Sequence, residues 1–206
     1  MTLETFAIFL PTAIFVSITP GMCMTLSLTL GMSIGVKRSL YMMWGELIGV
    51  GLIASLAMLG MAAIMLQYPA AFSFLKIAGG LYLAWLGIEM WRSRGRLALP
   101  EELDSSVSVK PWDLATRGFI TAIANPKGWA FMISLLPPFI QNSQALLPQI
   151  AVILLILLSV EFLSLVIYAS GGQALRHVLL QGNNVRLLNR IAGSLMMGVG
   201  IWLMLS

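Results

Sequence analysis

Six stretches of this chain are each apolar over the length of a bilayer crossing, and no other feature limits its fold as strongly. Windows of about 20 residues, the length at which a helix spans the hydrocarbon core, fall at roughly 6–31, 39–66, 70–91, 115–140, 147–170 and 187–206. The breaks between them carry turn or charge signals: Gly35 to Ser39, Gln67-Tyr68-Pro69, the polar segment 92–114, Gln141 to Gln144, and Arg176 to Arg186. Only 10% of the 206 residues are charged and 59% are hydrophobic. A soluble domain is about a quarter charged, so this chain lacks the polar surface to cover a globule in water. The runs are helix-length, unlike the ~10-residue alternating segments of an outer-membrane barrel. The expectation is an all-α polytopic membrane protein, one transmembrane unit over 1–206.

Basic residues orient the spans. Ten of the twelve Lys and Arg lie after spans one, three and five: Lys37, Arg38, Arg92, Arg94, Arg96, Lys110, Arg117, Arg176, Arg186 and Arg190. Positive charge concentrates on the cytoplasmic side, so both termini are expected to face outward. The exceptions are Lys76, close enough to the outer end of span three to snorkel, and Lys127. The start, Met1 through Val16, has no basic region before a full-length span and reads as a retained first helix, not a signal peptide.

Several function classes drop out. The net charge of +4 is scattered in short clusters between apolar runs, which is topology and not a nucleic-acid surface. Cys23 is the only cysteine and His177 the only histidine. That excludes an internal disulfide and a CxxC redox pair and leaves no metal cluster or cofactor motif. The longest polar segment, 93–113, is too short for a catalytic module and reads as a cytoplasmic loop, so an enzyme is not expected.

An internal repeat is visible. Lys76-Ile77-Ala78-Gly79-Gly80-Leu81 in span three matches Arg190-Ile191-Ala192-Gly193-Ser194-Leu195 in span six, and Pro20 in span one has a counterpart in Pro126 of span four. The chain divides into repeat one (about 1–92), the loop (about 93–114) and repeat two (about 115–206). Three spans per half is odd, so the halves must insert in opposite orientations. Inverted repeats of this kind place a transport site near the midplane, on interrupted helices.

Pro20 and Pro126 lie deepest in spans, and each displaces the carbonyl four residues back, Val16 and Ala122. In lipid such carbonyls need partners, so these breaks survive only when buried or lining a wet cavity. Thr19-Pro20-Gly21 adds a hydroxyl and a flexible residue at one break; Asn125-Pro126-Lys127 adds an amide and an ammonium at the other. At ~1.5 Å per residue the second group lies ~15 Å inside span four, about mid-bilayer. These six residues are the candidate substrate site for a zwitterion: freed carbonyls for its ammonium, Lys127 and helix N-termini for its carboxylate. An unpaired midplane lysine is costly. Glu46 in span two and Glu161 in span five are its candidate counter-charges, or carriers of coupled protons. Gly45 and Gly49 around Glu46 read as a close helix contact.

These motifs resemble the lysine exporter (LysE/RhtB) family of bacterial amino-acid exporters. The resemblance runs nearly the whole length: Thr19-Pro20-Gly21, the spacing Gly35, Gly45, Gly49, then Gly79 through Gly87 with Tyr82-Leu83, and Asn125-Pro126-Lys127 with Pro137 and Phe139. It implies inner-membrane efflux of amino acids or related small metabolites, driven by the proton-motive force, with no cofactor. A homo-oligomer is compatible with it, and the sequence sets no subunit count. The family's usual Thr-Pro-Gly-Pro followed by Asn is replaced here by Met22 and Cys23. Many members carry a polar or acidic residue where this chain has Val50, and Glu46 stands one turn earlier. The alternatives are an inorganic-cation exporter of the wider superfamily, for which one Cys, one His and a midplane Lys are poor ligands, and a non-transporting membrane scaffold.

Overall fold

The computed structural model describes residues 3–92, 110–141, 144–174 and 182–205, and every regular element among them is helical. In chain order these are α1 (Leu3–Ile18), α2 (Met22–Ile34), α3 (Val36–Gln67), α4 (Pro69–Arg92), α5 (Pro111–Ile123), α6 (Pro126–Leu135), a 3₁₀ turn (Pro137–Phe139), α7 (Leu146–Ala174) and α8 (Gly182–Leu205). His177 and most of the expected cytoplasmic loop lie outside the described residues.

The two proline breaks form as expected. Span one is α1 and α2 bent by 57°, and span four is α5 and α6 with the 3₁₀ turn, bent by 55°. Among the described residues, α3 and α7 are long and apolar enough to cross a membrane unaided, and counting each bent pair as one span makes four. In α4 the apolar stretch is shorter, Ile77–Glu89.

Element ends differ from the sequence reading in instructive ways. Lys37 and Arg38 are not in a loop but in the first turn of α3, because Gly35 alone makes the connection. Its φ of +82° is open to glycine and costly for a side chain, and its N–H reaches back to the Leu30 carbonyl at 3.2 Å. The polar segment before span four ends early: Pro111 sits at the start of α5, where its missing N–H costs nothing, and Asp113 complements the helix dipole in the first turn. Pro11 lies inside α1, deeper than a span-end position. Gly182 and the two asparagines after it, read as loop, are already helical in α8.

The main core joins α1, α2, α3, α5, α6 and α7 around residues such as Phe9, Leu30, Met42, Met43, Ile153 and Leu165. A smaller cluster of Leu83, Phe131, Leu135 and Met196 ties the α4–α8 pair to α6. Close backbone approach sets the position of Glu46. A Cβ on Gly45 would overlap the Ala115 carbonyl of α5, and one on Gly118 would overlap the Met42 carbonyl of α3. The GxxxG reading of Gly45 and Gly49 therefore holds: small residues let α3 and α5 touch along their backbones, which turns Glu46 inward to complete burial.

Candidate functional site

The bends carry the two breaks to one place. Lys127 lies in the first turn of α6, yet its ammonium crosses to the end of α1, donating hydrogen bonds to the carbonyl of Val16 at 3.3 Å and to that of Thr19. These are carbonyls that α1 can no longer satisfy once Pro20 stops it. A cation at a helix C-terminus also meets the negative end of the dipole, so Lys127 serves as a C-cap delivered from another helix. The Phe131 ring lies 5.6 Å from the same nitrogen. Tyr168 of α7 adds a third donor, its hydroxyl bonding the Ile18 carbonyl at 2.8 Å.

The second break is capped by its own residues. Asn125 is the N-cap of α6, its side-chain oxygen accepting from the Lys127 N–H at 3.2 Å. Pro126 occupies the first helical position, where a proline is preorganised. The Ala122 carbonyl, displaced by Pro126, accepts from the Asn125 N–H at 3.1 Å. Trp129 Nε1 caps the Ile123 carbonyl at 2.9 Å.

Between the breaks is a cavity of about 40 Å³. Its polar lining consists of Ser17, Cys23, Glu46, Asn125, Lys127 and Glu161, with Gly21 and Val50 also at the wall. That volume suits roughly three waters and is well below the ~300–1,000 Å³ of a ligand pocket. Glu46 and Glu161 lie within electrostatic range of one another. Both Glu46 carboxylate oxygens and Ser17 Oγ are buried without a partner in hydrogen-bonding geometry. Cys23 Sγ accepts from Asn125 Nδ2 at 3.6 Å.

Five of the eight residues singled out in the sequence thus meet at the cavity: Gly21, Glu46, Asn125, Lys127 and Glu161. Thr19, Pro20 and Pro126 are not among its lining residues. The Thr19 hydroxyl bonds the Phe15 carbonyl of its own helix, and the two prolines make the breaks. Lys127 and the freed carbonyls, expected to hold opposite ends of a substrate, hold each other in this conformation. Ser17, Cys23, Tyr168 and Trp129 were not foreseen as site residues. For the aromatic pair a signal existed, since a polar-tipped aromatic near a helix break is a ready donor for a freed carbonyl. Among the described residues no group of three or more His, Cys, Asp or Glu is placed to hold a metal ion.

A buried, charged cavity between two interrupted membrane helices is the arrangement of a transport protein, and residues 14–206 match the family described as LysE type translocator. The chain belongs to that family, as its motifs suggested. Similar proteins include an uncharacterized membrane protein of Vibrio cholerae, 28% identical over 203 residues that cover 98% of each chain. The homoserine/homoserine lactone efflux protein of Salmonella typhimurium is 28% identical over 97% of this chain and 96% of its own. The leucine efflux protein of an Enterobacter species is 29% identical over 90% and 88%. No solved structure matches.

Proposed function

We propose that the protein is a secondary active exporter of amino acids or related small metabolites in the bacterial inner membrane, with protons entering as substrate leaves. The observation that carries this reading is the Lys127 bond across the two breaks, beside a cavity holding two carboxylates. Relatives named for efflux of homoserine, its lactone and leucine support the substrate class. The two compounds named for the Salmonella relative share a primary amine, and only one has a free carboxylate.

The topology that suits this function is six spans in two inverted three-helix repeats, both termini periplasmic. Two features support it. At 24 residues each, α4 and α8 reach about 36 Å, enough for a crossing. They also pack in opposite directions: a Cβ on Gly80 would sit 2.7 Å from the Gly200 carbonyl, and one on Gly87 would sit 2.6 Å from that of Gly193. Antiparallel packing of matching spans is what inverted halves require. The site comprises Thr19, Pro20, Gly21, Asn125, Pro126 and Lys127, the prolines by shaping it, with Glu46 and Glu161 carrying charge. Because the cavity admits only waters, a substrate must widen it, and rocking of one repeat against the other would do so.

The test is release of labelled homoserine and leucine from preloaded proteoliposomes, with and without an imposed pH gradient. Gradient-dependent release that disappears in Lys127→Ala at normal expression is expected. Release that ignores the gradient would remove the proton coupling, and no release of any amino acid tried, with well-folded protein, would remove the exporter reading and favour a cation exporter or a scaffold.

A further inference from the structure

The charge balance of the cavity goes beyond the exporter reading on which it rests. Its lining contains three ionisable groups of fixed sign: Glu46 on α3, Glu161 on α7 and Lys127 on α6. The other elements at the wall contribute only neutral groups, Ser17 on α1, Cys23 on α2 and Asn125 at the start of α6. Two acids against one base leave one excess negative charge when all three are ionised. Two of the three Lys127 N–H groups are also committed to the Val16 and Thr19 carbonyls. Asn125 is engaged too, its oxygen by a backbone N–H and its nitrogen with Cys23.

What is left without partners is chiefly acceptor capacity. Both oxygens of Glu46, which is 0% exposed, have none. Ser17 Oγ, on a side chain 2% exposed, is also without a partner in hydrogen-bonding geometry at the same wall, where it lies beside Glu161. A buried polar group left unmatched costs several kcal/mol, more if ionised. Such a group therefore holds a proton or meets a donor. A primary ammonium supplies both the charge and up to three donors. A substrate carboxylate would find one spare Lys127 N–H in a cavity that also holds two carboxylates.

We propose that Glu46 and Glu161 form a site for a primary ammonium group, occupied in turn by a proton and by the substrate's amine, and that a free substrate carboxylate is dispensable. The ligand class is small cationic amines, including amino acids whose carboxyl is esterified, lactonised or amidated. The exchange balances: as R–NH₃⁺ arrives beside a protonated carboxyl, the carboxyl releases H⁺ and keeps the negative charge that pairs with the amine. Because one pair serves both, proton and amine cannot be bound together, which couples their opposite movements one for one.

The experiment uses the full chain purified in detergent in weakly buffered solution, with a pH indicator and three probes: L-leucine, L-leucinamide and N-acetyl-L-leucine. Leucinamide is expected to release about one proton per bound molecule, and N-acetyl-leucine none. In proteoliposomes loaded with labelled leucine, leucinamide should compete as well as leucine. N-acetyl-leucine should be about tenfold to a hundredfold weaker, the cost of one charge-assisted hydrogen bond. Glu46→Gln should abolish proton release, and Glu46→Asp, which keeps the charge, should retain it and guards against a merely unfolded variant. Leucinamide binding without proton release, or N-acetyl-leucine competing as well as leucine, overturns the proposal while leaving the exporter reading intact. If the vesicles release neither leucine nor homoserine, the exporter reading fails. Proton release by leucinamide then still decides the ammonium site by itself, absence of release overturning it.

Discussion

At the α5/α6 break the hydrogen bonds that close the ends come from nearby: Ile120 accepts from Ala124, Ala122 from Asn125, and Ile123 from Trp129 only six residues on. At the α1/α2 break the carbonyls of Val16, Thr19 and Ile18 accept from donors 111, 108 and 150 residues away in sequence. Gly21, the N-cap of α2, has no side chain to contribute. The second break is therefore capped within its own segment, whereas the first, though set by Pro20, has three of its carbonyls satisfied only while α6 and α7 stay docked against it. A break that depends on other helices can be released by moving them. On this contrast the end of α1 is expected to be the moving part and the start of α6 the fixed part, with Lys127 as the link between them.

The largest effect that tests this contrast is Lys127→Met. The substitution keeps most of the side-chain volume but leaves two buried carbonyls without donors and two acids without a counter-charge. Removing one partner of a buried polar cluster costs about 3 kcal/mol or more. A matching loss of stability in thermal unfolding in detergent is expected. The extra hydrogen exchange should concentrate in residues 15–21 and spare 120–129. Unchanged stability would mean that the end of α1 needs no remote support, and the contrast would collapse.

Tyr168→Phe should act in the same place with a smaller effect. It deletes one hydroxyl and keeps the ring, so the loss is that of one neutral hydrogen bond, about 1 kcal/mol. Exchange near Ile18 should rise. If the end of α1 is the moving part, the transport rate should change as well, since Tyr168 touches that segment without lining the cavity. An effect on stability with no change in exchange at 15–21 would place the role of Tyr168 elsewhere in α7.

How much of this was legible beforehand depends on whether the information is local. Both breaks were readable because proline and glycine act on their own turn of backbone, whatever surrounds them. The inward turn of Glu46 was half readable: Gly45 and Gly49 announced a close contact, but not that Ala115 and Gly118 of α5 would supply it. The partners of Lys127 were not readable. Charge complementarity points to Glu46 or Glu161, whereas the acceptors are backbone carbonyls, which carry no residue identity and become available only because of the bend. Ser17 escaped notice, and Cys23 was noted only as a departure from the family's motif, for a related reason. They reach the cavity through the 57° turn between α1 and α2, and on a straight helix their position beside the α5/α6 break could not be deduced. Lys37 and Arg38 misled in the opposite direction, because charge reads as a break although a one-residue turn at Gly35 lets α3 begin before them.

The smallest effect is the most discriminating one. Trp129→Phe removes the indole donor to the Ile123 carbonyl and keeps an aromatic ring, a change comparable to Tyr168→Phe: one donor lost to one carbonyl beside a break. Hydrogen bonds of this type contribute about 0.5–1.5 kcal/mol. At the α5/α6 break the neighbouring bonds to Ile120 and Ala122 and the Asn125 cap remain, all formed by residues of the same turn. The loss should therefore lie at the low end of that range, with exchange rising only around Ile123 and transport close to wild type. The two variants together form a matched pair: equal chemistry, one donor local and one remote. If Trp129→Phe slows transport as much as Tyr168→Phe, both breaks move, and the fixed half of the contrast is wrong. If only Tyr168→Phe does, the end of α1 is the element whose docking and release accompany transport.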